Sequence, residues 1–114
     1  MAPTVARHFE KRPAHVRATY DAVVRAARAL GPVVEDPKQT SIHLNRRTAF
    51  AGVATRRASI VLTLKSRINI RHARIRKSLH ASAERWYLEI ELASPEAVDR
   101  QLRGWLKRSY ALAE

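Results

Sequence analysis

The chain has 114 residues, and its 22 Lys and Arg against 10 Asp and Glu give a formal net charge of +12. That length suits one domain with a single core, which buries roughly two thirds of its unfolded surface on folding. An apolar share of 46% with only three Gly and five Pro excludes a disordered or low-complexity chain, and the lack of Cys excludes disulfides, a thiolate nucleophile and a Cys-ligated zinc.

Residues 1–12 are polar and basic, without the apolar stretch of a signal peptide, and read as an N-terminal arm to a single domain over 13–114. No run of about eighteen apolar residues occurs anywhere, so the expectation is a soluble, cytoplasmic protein with no membrane contact. Pro13 is compatible with a first helical turn. After it Val16, Tyr20, Val23, Val24, Ala27 and Leu30 recur at helical spacing and form one apolar stripe. Gly31-Pro32 ends that helix, predicted over 13–30.

From Val33 to Leu92 the period falls to two. Ile42 and Leu44 alternate with Ser41, His43 and Asn45, Arg46-Arg47 reads as a turn into 48–55, and Arg56-Arg57 turns into a strand where Ile60, Leu62 and Leu64 share one face. Residues 66–73 read as a loop. Ile75, Lys77 and Leu79 then alternate with Arg74, Arg76, Ser78 and His80, and Trp86, Leu88, Ile90 and Leu92 oppose Tyr87, Glu89 and Glu91. Ser94-Pro95-Glu96 supplies a hydroxyl cap, a Pro at the first position and an acid at the positive end of a dipole, so the second helix is predicted over 95–113. Helix, antiparallel meander of five or six strands and helix together predict an α+β two-layer sandwich, with Phe50, Trp86 and Trp105 in the core.

Charge is concentrated in the middle. Residues 37–83 hold eleven Lys and Arg and no Asp or Glu, a one-signed block that raises the local concentration of polyanions in a salt-dependent way. Within it Lys65, Arg67, Arg71, Arg74, Arg76 and Lys77 form a candidate phosphate track, which Arg85 extends against a single Glu84. Only Tyr87 among the aromatics is placed to face outward beside it, so contact would run through the nucleic-acid backbone with weak sequence preference. A solvated basic surface with no partner fits the same pattern.

No catalytic constellation stands out. The five His residues show no metal spacing, Gly31, Gly52 and Gly104 are too scattered for a phosphate loop, and neither a G-x-S-x-G elbow nor an S-x-x-K box is present. Glu89 and Glu91 read as members of a cross-strand charge ladder. No catalytic residue, metal or cofactor is therefore expected. His43 lies opposite Ile42 and Leu44 with Ser41 and Asn45 alongside and Arg46 and Arg47 next in the chain, so it either faces solvent or lines a polar pocket.

Arg7-His8-Phe9, Leu30-Gly31-Pro32, the segment from Lys38 to Leu44, Arg46-Arg47-Thr48-Ala49-Phe50-Ala51, Ala83-Glu84-Arg85-Trp86, the segment from Ser94 to Asp99, Gly104-Trp105-Leu106 and Ser109-Tyr110 follow one another in an order that resembles the bacterial family of domains of unknown function DUF5655. The resemblance covers nearly the whole chain and brings no settled activity with it. It implies a compact α+β domain and a ligand face near Tyr20, Lys38, Thr40, His43, Arg46 and Arg47. Residues 66–77 are more basic than that family's usual pattern. The element order is also similar to that of frataxin-like domains, whose acidic face this chain lacks.

Two readings follow. One is a non-enzymatic module that binds a nucleic acid or other polyanion through the middle block. The other is a small-anion or protein-interaction domain with a pocket around His43 and Arg46.

Overall fold

A computed structural model describes residues 2–114. The elements in chain order are α1 (Val5–Phe9), α2 (Ala14–Arg28), β1 (Val34–Pro37), β2 (Ile42–Asn45), β3 (Ala49–Thr55), β4 (Ile60–Ser66), β5 (Ile75–Ser82), β6 (Arg85–Leu92), a 3₁₀ turn (Pro95–Ala97) and α3 (Arg100–Ala111). The six strands form one sheet in the order β1-β2-β3-β4-β6-β5, with every neighbouring pair antiparallel.

The apolar alternation selects the buried face. Ile42 and Leu44, Ala51 and Val53, Ile60, Leu62 and Leu64, and Leu88, Ile90 and Leu92 fall in register across β2, β3, β4 and β6. All are at most 5% exposed, and full burial of a Leu or Ile contributes about 1.5–3 kcal/mol. Helix α2 adds Val16, Tyr20, Val23, Val24 and Ala27 to this core, and α3 adds Leu102, Leu106 and Tyr110. Both helices cover the same face of the sheet. Residues of the N-terminal arm take part as well: α1 brings Phe9 to 5.1 Å from the Tyr20 ring.

The last two strands exchange places relative to a plain meander. Because β6 lies between them, β4 and β5 run parallel, and residues 67–74 must cross from one end of the sheet to the other. The connection crosses on the helix side, where His72 packs edge-on at 5.3 Å from Trp105 and meets Gln101 at 3.0 Å. Arg74 donates to both Asp99 carboxylate oxygens at 2.9 and 3.0 Å, to Gln101 Oε1 at 3.1 Å and to the Ala97 carbonyl at 2.8 Å. A bulge between Ile75 and Lys77 then reverses the expected phase of β5. Ser78 opposes the buried Leu88, while Leu79 opposes Tyr87 on the helix-free face and is 56% exposed.

Helix α3 begins later than its sequence signal suggests. Pro95 starts only a 3₁₀ turn, and the cap is Asp99, whose carboxylate accepts from the Leu102 N–H at 3.0 Å. At the end of α2, Gly31 adopts φ +153°, and a side chain there would collide with the Tyr110 hydroxyl, which donates to the Pro32 carbonyl at 2.9 Å. Glycine is required at that position both by conformation and by space. Phe50 is fully buried, but Trp105 is only half-buried at the margin of the core, and the half-buried Trp86 is outside it, stacked on His80 at 4.1 Å.

Candidate anion-binding face

Among the described residues no helix covers the other side of the sheet. Register places His43, Gly52, Thr63, Glu89 and Lys77 in one row across β2, β3, β4, β6 and β5, with Lys65, Tyr87 and Leu79 in the next. A groove of about 380 Å³ runs along β3. Its floor is β3, where Gly52 carries no side chain and Ala54 only a methyl. Ser41 and His43 stand on one side and Thr63, Lys65 and Tyr87 on the other. The depression exists because the outward residues of β3 are small while those on the flanking strands are large.

The Lys65 end of the groove is electrostatically unbalanced. Burial, with the like charge of Arg85 adding to it, lowers the Lys65 ammonium below the usual lysine range. Lys65 forms no ion pair with a described carboxylate, and neither does Arg85. The Arg85 Nε–H is also buried without an acceptor. Two cations held near each other without a counter-charge, one of them with an idle buried donor, make a site that an anion would stabilise.

Across the groove the charges are matched. Asp36 lies opposite His43 in the β1–β2 register, and Lys38 Nζ sits 2.9 Å from its Oδ2. The hydrogen bond from Lys38 is the main cause holding the Asp36 carboxyl below the usual carboxylate range, with Asn45 and His43 also favouring the charged form. Toward the β5 edge, Arg76 lies 3.6 Å from Glu91, which also accepts from the Ser59 hydroxyl at 2.6 Å. Lys77 stands opposite Glu89.

The candidate residues read from the sequence do not gather in one place. Of the six in the basic track, Lys65, Arg76 and Lys77 reach the helix-free face. Arg67 and Arg71 belong to the 67–74 connection, with Arg67 beside Arg108 of α3. Arg74 is committed to Asp99. Of the six expected around a pocket, His43 lines the groove and Lys38 reaches the same side through Asp36. Tyr20 is buried under α2, where its hydroxyl donates to Glu35 at 2.8 Å while Arg28 holds the other carboxylate oxygen at 3.2 Å. Arg46 stacks over the Tyr110 ring at 4.5 Å and donates to the Tyr110 carbonyl at 3.3 Å. The Arg47 side chain is exposed while its N–H donates to Ala113, and Thr40 lies exposed in the β1–β2 turn. Tyr20 and Arg46 thus lie on the helix side of the sheet and His43 on the other.

Sequence reasoning passed over Gly52, Ala54 and Thr63. Period two on β3 and β4 places all three opposite the buried residues, and a run of small outward residues between larger ones would have indicated a groove. Among the described residues no group of three His, Asp or Glu side chains is arranged to hold a metal ion, and no helix is long and apolar enough to cross a membrane.

No curated protein and no solved structure matches the chain. The model of a family described as a domain of unknown function, DUF5655, matches residues 5–113, and the chain belongs to that family.

Proposed function

We propose that this domain is a non-enzymatic binding module that receives an anionic partner, nucleic acid foremost, on the helix-free face of its sheet. The observation that carries the reading is the pair Lys65 and Arg85, neighbouring cations without a carboxylate and beside the outward ring of Tyr87. Lys77 and Arg76 extend positive charge along the same face, though each has an acidic neighbour. A sheet that combines cations with an accessible aromatic suits single strands, whose phosphates follow the charge while an unpaired base meets the ring.

The test is fluorescence anisotropy with labelled single-stranded and duplex oligonucleotides across a salt series from about 50 to 200 mM, over which several phosphate contacts cost orders of magnitude in affinity. Binding that prefers the single strand, falls with salt and is lost in the Lys65→Ala/Arg85→Ala double variant supports the reading. Affinity that the double variant leaves unchanged overturns it.

The groove itself favours a second reading, a small anionic ligand held by Lys65 with Ser41, His43, Thr63 or Tyr87 supplying hydrogen bonds. Saturable binding of a small phosphate or carboxylate compound by a protein that ignores oligonucleotides would select it.

A further inference from the structure

We infer that the groove over Gly52 is a slot for one flat ring of a single-stranded nucleic acid, whose adjoining phosphate rests on Lys65 and Arg85. This rests on the nucleic-acid reading above and adds a place where a base, and not only backbone charge, is received. Three features of the face support it.

The floor is flat and bare. Gly52 and Ala54 leave the β3 backbone open over a groove of about 380 Å³, and the nearest atom to a Cβ built on Gly52 is the Thr63 Cβ at 3.9 Å. Glycine is thus not needed at this position for the fold, since its backbone is ordinary and a methyl would meet only normal contact. Its effect is to keep the floor low.

The edges carry hydrogen-bonding groups suited to a base. Ser41, His43, Thr63 and Tyr87 bring hydroxyls and an imidazole to the rim, able to donate or accept toward the edges of a ring. The chemistry is sequence-tolerant, because any of these groups meets more than one base edge.

The charge lies at one end. Lys65 lines the groove, and Arg85, two residues from Tyr87 on β6, lies close enough to Lys65 to perturb it. One phosphate there would neutralise the repulsion between the Lys65 and Arg85 charges, neither of which has a carboxylate partner among the described residues. Lys38, on the opposite side, is already paired with Asp36, which gives the slot a direction, with phosphate at Lys65 and ring toward His43.

The decisive comparison sets a labelled thymidine oligomer of about ten nucleotides, within the usual site size of a single-strand binder, against inorganic polyphosphate, which has charge and no rings. Gly52→Val fills the slot and leaves every charge in place, and Gly52→Ala adds only one methyl. Gly52→Val should lower oligonucleotide affinity by about tenfold or more, the scale of one lost base contact, with polyphosphate affinity unchanged and Gly52→Ala close to the parent. Ala54→Leu serves as a second plug on the same floor should Gly52→Val fail to fold. Plugged variants that bind the oligonucleotide as well as the parent overturn the slot, as does a parent that binds polyphosphate and ignores the oligonucleotide; both results leave the charged face standing. A parent that binds neither overturns the nucleic-acid reading and the slot with it.

Discussion

The hydroxyl of Ser109 on α3 accepts from the backbone N–H of Lys65 at 2.8 Å and at the same time donates to the Phe50 carbonyl. The paired registers of β3 and β4 stop at Ala51 and Leu64, and the helix hydroxyl takes over at the next position. The backbone that aims Lys65 into the groove is therefore held from the opposite side of the sheet, and the core helix and the candidate site share one buried atom.

Ser109→Ala leaves the Lys65 N–H and the Phe50 carbonyl without their partner. At about 1–3 kcal/mol for each buried group left unpaired, the expected loss is about 2–6 kcal/mol, read as a lower urea midpoint at unchanged slope. A change within experimental error would mean that β3 and β4 close to pair these groups directly.

Arg74 and Lys65 should behave oppositely. Arg74 is 25% exposed, bound to Asp99, Gln101 and Ala97, and lies over Trp105. Arg74→Ala should cost about 1–2 kcal/mol of stability and leave oligonucleotide affinity nearly constant, whereas Lys65→Ala should weaken binding with little change in melting temperature. Equal loss of binding in both would place the phosphate contacts on the 67–74 connection.

Much of this architecture was legible in the residues. The stripe from Val16 to Ala27 fixed α2, and the alternation of Ile42 with Leu44 and of Leu88 with Ile90 fixed which face is buried, because both patterns are local consequences of helical and strand periods. The exchange of β5 and β6 was not legible. It depends on where residues 67–74 dock, and that is decided by Arg74 meeting Asp99 and His72 meeting Trp105, contacts between residues 25 to 33 positions apart. The bulge after Ile75 is likewise invisible in a pattern that alternates on either side of it. His43 was put on the correct face by period two, while Tyr20 and Arg46 belong to the other side for the same reason that they sit close to the buried stripes.

Acid should act through Asp99. The Leu102 N–H first, and then Arg74, hold its carboxyl below the usual carboxylate range. A depressed folded-state pKa contributes stability that is present above the ordinary aspartate value and is lost as pH falls through the folded one. Asp99→Asn should therefore flatten the acid limb of a stability-versus-pH curve. At neutral pH Asp99→Ala should cost about 0.5–1 kcal/mol, a cap contribution reduced by the exposure of the site.

Alkali should act through Tyr20. Burial, with the hydrogen bond to Glu35 adding to it, pushes its phenol well above the ordinary tyrosine range. Because the raised group resists ionisation in the folded state, its contribution is complete below the ordinary tyrosine value and is lost as pH climbs above it. Ultraviolet titration should show Tyr20 ionising only on unfolding. Tyr20→Phe should remove that late step at a cost of about 1 kcal/mol. A wild-type titration that Tyr20→Phe leaves unchanged while the protein is folded and on unfolding would contradict the buried hydrogen bond.

Lys65 offers the most direct reading of the site itself. With its ammonium lowered by burial and by Arg85, more of it is neutral amine at mildly alkaline pH than at an ordinary lysine, and the neutral form is the one that acylates. Brief treatment with limiting acetic anhydride, followed by peptide mass spectrometry, should modify Lys65 ahead of Lys77, which has Glu89 opposite it. An anion seated between Lys65 and Arg85 stabilises the charged form and covers the nitrogen, so added oligonucleotide should suppress labelling at Lys65 more strongly than at Lys11 in the N-terminal arm. Protection that is uniform over all five lysines would point to diffuse screening and away from a contact at this end of the groove.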